Sequence, residues 1–227
     1  MGGDPAVGPL GAPVGGVSLH PEVLEANQTR VLEDTAPALT ARGFRLGGGT
    51  GLALVLGHRR SVDFDWFCRE TMGDPMRVAR ELQREGVPLR VDQVGQGTLH
   101  GTVEGVRVSL LEFRYPDLAE PILFPERDLA LLSLDDLACM KLSAIAQRGS
   151  RKDFVDLFAL AMEHRQLADL LELYRRKFEV QEVGHILYSL VYFEDAETER
   201  MPKMLWDVEW FVVRERIQGW VRELATP

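Results

Sequence analysis

Three consecutive glycines, a threonine and a fourth glycine, Gly47-Gly-Gly-Thr-Gly51, interrupt an apolar stretch that begins at Phe44 and resumes as Leu52-Ala-Leu-Val-Leu56. Neither a long helix nor a long strand survives such an interruption, so the segment reads as a strand, a tight turn and a short helix. Glycines leave their backbone N–H groups unobstructed, and a helix starting at Thr50 aims its amide ends at an anion. A few residues on, Ser61-Val-Asp-Phe-Asp-Trp-Phe67 alternates polar and apolar side chains, the period of a strand with one buried face. Asp63 and Asp65 then share a face, while Val62, Phe64, Trp66 and Phe67 are expected to anchor the strand in a core. Two carboxylates so placed can converge on a divalent cation, which prefers oxygen ligands. Phosphate at the glycine turn beside that cation makes a nucleotide site. The plainer readings are a turn that only packs closely and an edge strand whose acids are solvated.

Two common phosphate-binding patterns are excluded. No Gly-Lys-Ser/Thr follows the glycines, so this is not a Walker loop, and the spacing is not that of the dinucleotide fingerprint G-x-G-x-x-G.

Around this segment the chain divides in two. The first 17 residues hold six Gly, three Pro and one charge, and are expected to form a flexible tail. From His20 to Gly43, Val23, Leu24, Val31, Leu32 and Leu39 recur at helical spacing, which predicts one or two helices. Asp74-Pro75 resembles a helix cap and first position, with the helix ending near Glu85 before Gly86. Three strands follow over 89–94, 98–103 and 106–113, the last two joined by Glu104-Gly105. Beyond Pro125 the pattern is helical, over 134–147 with Ser133 and Asp136 as an approximate capping box, then 151–163, 166–175, 179–192 and 203–224. The expected architecture is α+β: a mixed sheet with flanking helices over 18–125, followed by a helical bundle over 126–227.

With 26 Lys and Arg against 35 Asp and Glu, the net charge of −9 argues against a surface that wraps nucleic acid non-specifically and leaves room only for a local basic pocket. Cys68 and Cys139 match neither a disulfide framework nor an all-cysteine zinc site, which fits a reducing compartment. No run approaches 18 apolar residues and no secretory signal opens the chain, so a cytoplasmic location with no membrane association is expected.

Phe44-Arg-Leu-Gly-Gly-Gly-Thr-Gly-Leu-Ala-Leu54 and Leu56-Gly-His-Arg-Arg-Ser-Val-Asp-Phe-Asp-Trp-Phe67 together resemble the signature of the nucleotidyltransferase AbiEii/AbiGii toxin family, within the superfamily that contains DNA polymerase beta. The likeness continues through Leu137-Ala-Cys-Met-Lys-Leu-Ser-Ala-Ile145, Arg148-Gly-Ser-Arg-Lys-Asp-Phe-Val-Asp-Leu157 and Tyr192-Phe-Glu-Asp-Ala-Glu197, over roughly residues 20 to 220. The resemblance implies a nucleotidyltransferase fold and a nucleoside triphosphate such as ATP held by Gly48, Gly49 and Thr50. It implies Asp63 and Asp65 as magnesium ligands, and transfer of a nucleoside monophosphate to an acceptor hydroxyl with release of pyrophosphate. Metal-bridged phosphate oxygens make the phosphorus more electrophilic, and Lys141 would neutralise phosphate charge from the helical part. The family includes toxins, so an antitoxin protein is an expected partner, and RNA or a small molecule is the expected acceptor.

Enzymes of the superfamily add a third carboxylate from a neighbouring strand, and the matching position here is Ser109. Glu112 falls on the opposite face of a regular strand, and Asp92 lies on a different one. A non-catalytic nucleotide-binding or interaction module is therefore the competing expectation. Among neighbouring residues, Arg59 reads as structural or phosphate-facing, Arg60 as a solvated turn residue and His58 as a helix-terminal hydrogen-bonding group. Ser61 reads as orienting the start of the strand. Arg148, Arg151 and Lys152 adjoin Asp153 and Asp156, either as internal salt bridges or as a wall of the triphosphate pocket, with Asp156 able to fix Lys141 or Arg148. Trp206, Trp210, Phe211 and Ile217 read as a core stripe.

Overall fold

The computed structural model describes residues 18–225, so the expected tail at 1–17 lies outside the described residues. A short 3-10 turn, Pro21–Val23, leads into α1 (Ala26–Thr40), followed by β1 (Arg45–Leu46), α2 (Gly48–Leu56), β2 (Phe64–Cys68) and α3 (Pro75–Arg84). Strands β3 (Leu89–Gly95), β4 (Thr98–Val103), β5 (Val106–Glu112), β6 (Ile122–Phe124) and β7 (Leu129–Leu131) complete the sheet. Helices α4 (Leu134–Arg148), α5 (Arg151–Glu163), α6 (Leu167–Phe178), α7 (Gly184–Val191), α8 (Glu194–Glu197) and α9 (Trp210–Ala225) form the bundle. This is the expected α+β arrangement. The sheet has seven strands in the order β3-β4-β5-β2-β1-β7-β6 and is mixed, with β2 parallel to β5 and β1 parallel to β7. It runs past the expected boundary at 125, because β7 pairs with β1 and the bundle begins only at Leu134.

Local chemistry accounts for the element ends. Asp74 accepts a hydrogen bond from the Met76 amide and Pro75 occupies the first helical position of α3. Ser133 accepts from the Asp136 amide at 3.1 Å and so caps α4. The β4–β5 turn places both Glu104 and Gly105 at positive φ, the geometry of a two-residue hairpin.

One face of the sheet buries Phe64, Trp66, Leu99, Val108 and Leu110 beneath Val31 and Leu39 of α1 and Val78 and Leu82 of α3. A second core lies within the bundle, from Leu137 and Leu142 through Phe154 and Leu160 to Ile186 and Ile217, and Leu52 of α2 belongs to it. Helix α2 thus sits between the two cores and fixes the glycine turn relative to both.

Several expectations shift: α2 begins at Gly48 rather than Thr50, and α7 at Gly184 rather than residue 179. The strand begins at Phe64, so Asp63 precedes it, and Val62 is 62% exposed rather than an anchor. Helix α9 begins at Trp210 instead of residue 203. Residues ahead of it run as an extended strap across the segment before β2: Arg59 bridges to Met204, the Arg60 amide donates to Lys203 O at 2.8 Å and the Leu205 amide to His58 O at 2.9 Å. Backbone pairing there outweighs the helical spacing of the side chains. On α9 itself Ile217 is fully buried, but Phe211 is 62% exposed and leaves the stripe. Among the described residues no helix is long and apolar enough to cross a membrane.

Candidate functional site

The glycine turn is shaped by what approaches it. Gly48 has φ +59, and a Cβ there would lie 2.5 Å from Asp65 Oδ2, so a larger residue would be strained and would collide with the carboxylate. A Cβ on Gly49 would lie 2.5 Å from Arg59 Nη2 and 3.1 Å from Ser61 Oγ. The first-turn amides of α2 have no intrahelical acceptor and carry the positive end of the helix dipole. Asp65 therefore stands against a helix N-terminus, with the Gly47 amide donating to its backbone carbonyl at 2.8 Å. Thr50 is buried and its hydroxyl donates to the Asp63 carbonyl, so it fastens the turn to the carboxylate segment from behind. Gln28 of α1 donates to Ser61 O at 2.8 Å and holds the same segment from the other side. The Asp63 carboxylate accepts two hydrogen bonds from Arg107 of β5, at 2.7 and 3.0 Å.

Across from these acids lies a buried charge network. Asp153 and Asp156, one turn apart on α5, are both fully buried. Asp156 accepts from Arg59 Nε at 2.6 Å and Nη2 at 2.7 Å and from His58 Nε2 at 2.7 Å, and it pairs with Lys141 Nζ at 2.6 Å. Asp153 accepts from Lys141 Nζ at 3.0 Å and from Arg148 Nε and Nη2 at 2.7 and 3.0 Å. Burial alone would push both acids up, but Arg59 and Lys141 beside Asp156, and Lys141 and Arg148 beside Asp153, hold them below the usual carboxylate range, Asp156 well below it. Burial lowers His58, against the opposing pull of Asp156, and keeps the imidazole neutral. Its Nδ1 has no partner, so the ring donates through Nε2. An ammonium has three N–H groups, and two of those on Lys141 are taken by Asp153 and Asp156. The third is left for the cavity that Lys141 lines.

That cavity measures about 450 Å³. Gly48, Gly49, Ser61, Asp63 and Asp65 form one wall, and Arg59, Lys141, Arg148 and Lys152 another. Arg60 and Lys203 add two more cations, and the acids are Asp63, Asp65 and Glu25. Six basic side chains and three acidic ones line it, and with Asp153 and Asp156 behind Arg59, Lys141 and Arg148 the basic groups still outnumber the acidic by one, in a chain of net charge −9. The structure thus gathers Gly48, Gly49, Arg59, Ser61, Asp63, Asp65, Lys141, Arg148 and Lys152 around one space. Thr50 and Asp156 stand behind its wall and act on it through Asp63 and through Arg59 and Lys141. Arg151 points away and donates to Ala196 O. Lys203 was hidden from sequence reading inside the helix expected over 203–224, and no local signal set it apart.

A second cavity, about 270 Å³, also borders Asp63 and Asp65 and is lined further by Asp92, His100, Arg107 and Ser109. Strand register places Ser109 directly opposite Asp65 and His100 directly opposite Ser109. The position expected for a third carboxylate does carry a hydroxyl. Glu112 turns elsewhere, accepting from the Met72 amide at 2.7 Å and from Arg114. Asp92 sits where the β3–β4 register slips between Val91 and Gln93, and this bulge brings it to the second cavity. His100 and Arg107 escaped sequence reading, although Arg107 shares a strand face with Ser109 by period two.

Comparison with known proteins adds the family. A relative from Aquifex aeolicus (strain VF5), described only as an uncharacterized protein, is 36% identical over 178 residues, covering 78% of this chain and 86% of that one. MenT4, a nucleotidyltransferase toxin from Mycobacterium tuberculosis H37Rv, superposes with a TM-score of 0.56 at 14% identity, covering 89% of this chain and 85% of its own. JHP933 from Helicobacter pylori superposes with a TM-score of 0.54 at 13% identity, covering 91% and 93%. At such identities these two structures establish the fold. The sequence model described as "Nucleotidyl transferase AbiEii toxin, Type IV TA system" matches residues 75–210, which include Lys141, Arg148, Lys152 and Asp156 and begin after the glycine turn and Asp65. With more than half of its length so matched, the chain belongs to the nucleotidyl transferase AbiEii toxin family.

Proposed function

We propose that this chain is a magnesium-dependent nucleotidyltransferase that moves a nucleoside monophosphate from a nucleoside triphosphate such as ATP to an acceptor hydroxyl and releases pyrophosphate. The observation that carries the reading is the single cavity in which a glycine-lined helix N-terminus, two carboxylates and six basic side chains face one another. Triphosphate charge suits the basin formed by Arg59, Lys141, Arg148, Lys152 and Lys203, and the α2 amides suit a phosphate oxygen. Among the described residues no group of three or more His, Cys, Asp and Glu side chains is arranged to cage a metal ion. Magnesium does not need such a cage, since it binds through one or two carboxylates, substrate phosphates and water. Asp63 and Asp65 would hold it, and it would polarise the phosphate oxygens it bridges. Arg107 would have to yield Asp63 as the ion enters.

The acceptor is RNA or a small hydroxyl compound. Family membership supports a toxin of a toxin–antitoxin pair, working in the cytoplasm with an antitoxin partner. A nucleotide-binding protein without transfer activity is the second reading, favoured by Ser109 opposite Asp65.

Calorimetry with ATP and magnesium tests the site: the wild type is expected to bind, and Asp63→Ala to lose metal-dependent binding while keeping its folding stability within about 1 kcal/mol. Equal affinity in both proteins overturns the assignment. Incubation with labelled nucleoside triphosphates, magnesium and deproteinised cellular RNA then separates enzyme from binder.

A further inference from the structure

Asp63 and Asp65 line both the basic basin and the smaller cavity beside it. At that smaller cavity the sheet presents a row of polar side chains across three strands: Asp65 on β2, Ser109 on β5 and His100 on β4. We propose that His100, oriented by Ser109, accepts the proton of the attacking hydroxyl, taking over from these strands the task for which a third carboxylate was expected. This inference rests on the nucleotidyltransferase reading above.

The geometry carries it in three ways. His100 Nδ1 lies 3.1 Å from Ser109 Oγ, and among the described residues this is the ring's one protein hydrogen bond. With Nδ1–H donating to Ser109, the Nε2 lone pair is left for the cavity that His100 lines. The hydroxyl at position 109 therefore gains a purpose: it orients the ring of a base. The bulge at Asp92 brings a carboxylate to the cavity that the imidazole lines, and a Cβ on Gly101 would lie 2.4 Å from Arg90 O, so the strand pair is closed tightly next to the ring.

In the step itself, the acceptor oxygen forms a bond to the α-phosphorus as its O–H proton passes to His100 Nε2. The bond from that phosphorus to the bridging oxygen breaks, and pyrophosphate leaves with the electron pair. His100 then returns the proton to water. The charged groups facing the ring are Asp63 and Asp65 on the β2 side, Asp92 with its partner Arg90 on β3, and Arg107 on β5. Asp92 is the natural rival as base, but it is paired to Arg90 at 3.1 Å.

The test measures pyrophosphate released by the full chain from labelled nucleoside triphosphates with magnesium and deproteinised cellular RNA, from pH 5 to 8, beside nucleotide affinity. His100→Gln is expected to lower the rate about a hundredfold, the size of a lost general base, with nucleotide affinity within about twofold of wild type. Ser109→Ala should fold as the wild type does and slow release about tenfold, with loss of the Nδ1-protonated ring signature in nitrogen NMR. An His100→Gln rate within threefold of wild type overturns the proposal, as does an Asp92→Asn variant that alone slows release as much as His100→Gln is expected to. A wild type that binds nucleotide and releases no pyrophosphate overturns the transferase reading itself, and the role of His100 with it.

Discussion

Asp63 and Asp65 stand two residues apart at the start of a strand, while Asp153 and Asp156 stand three apart on a helix, and the surroundings of the two pairs differ in kind. The strand pair borders two cavities and, among the described residues, has one ion-paired cation, Arg107 on Asp63, with Arg148 near enough to feel the charge of Asp65. The helix pair is sealed from solvent and saturated by Arg59, His58, Lys141 and Arg148. Buried acids that are fully paired cannot accept a ligand, but they can hold cations in place. Partly open acids with spare lone pairs can take one. On the proposed reading the task of binding is separate from the task of positioning, and the cations of the second pair share a cavity with the acids of the first.

The largest effect that would break this contrast is on folding. Asp156→Ala leaves Arg59 and Lys141 buried without their acid, and should cost about 3 to 5 kcal/mol in urea unfolding, where Asp63→Ala costs about 1 or less. Similar losses for both would mean that the pairs are not distinct. A smaller effect concerns pH. His58 is held neutral with its folded value lowered, so the stability tied to it is present above about pH 6.5 and is lost as pH falls through the lowered value. Asp153 and Asp156, also lowered, keep their contribution until pH falls below about 4. Stability should therefore decline between pH 7 and 5 by up to about 1.4 kcal/mol per pH unit for the one proton taken up, and His58→Gln should flatten that decline in urea titrations while leaving the loss below pH 4. The smallest effect is on the open pair: Arg107→Ala frees Asp63 and should tighten magnesium binding in the presence of nucleotide by about two- to fivefold, as expected for a half-exposed ion pair. Unchanged affinity in calorimetry would show that Arg107 does not compete for Asp63.

Much of this was legible because it follows from period and composition. The glycine-lined entry to a short helix, the strand that carries Asp65 and the helix over Arg151–Glu163 were all legible, although α2 starts at Gly48, ahead of the expected Thr50, and Asp63 falls just before β2. The i, i+3 relation of Asp153 and Asp156 was equally visible, but their complete burial was not, since aspartates are ordinarily exposed unless paired. Lys203 was missed because Trp206 to Ile217 carries helical spacing, whereas the backbone of residues 203–206 is claimed by His58 and Arg60. Pairing between segments so distant in the chain has no local signature. His100 was missed for a related reason: its neighbour Ser109 is known only from strand register, and a lone histidine on a strand carries no pattern of its own.

The strap over His58 and Arg60 has a temporal consequence. Of the residues that line the larger cavity, Lys203 is the last to be synthesised, and its carbonyl is what the Arg60 amide holds. A growing polypeptide that has already made its glycine bend and both acids still lacks one side of the basin. Completion of the cavity therefore arrives late in translation, after most of the bundle helices have emerged, and a chain cut short before residue 200 would lack the side that Lys203 supplies.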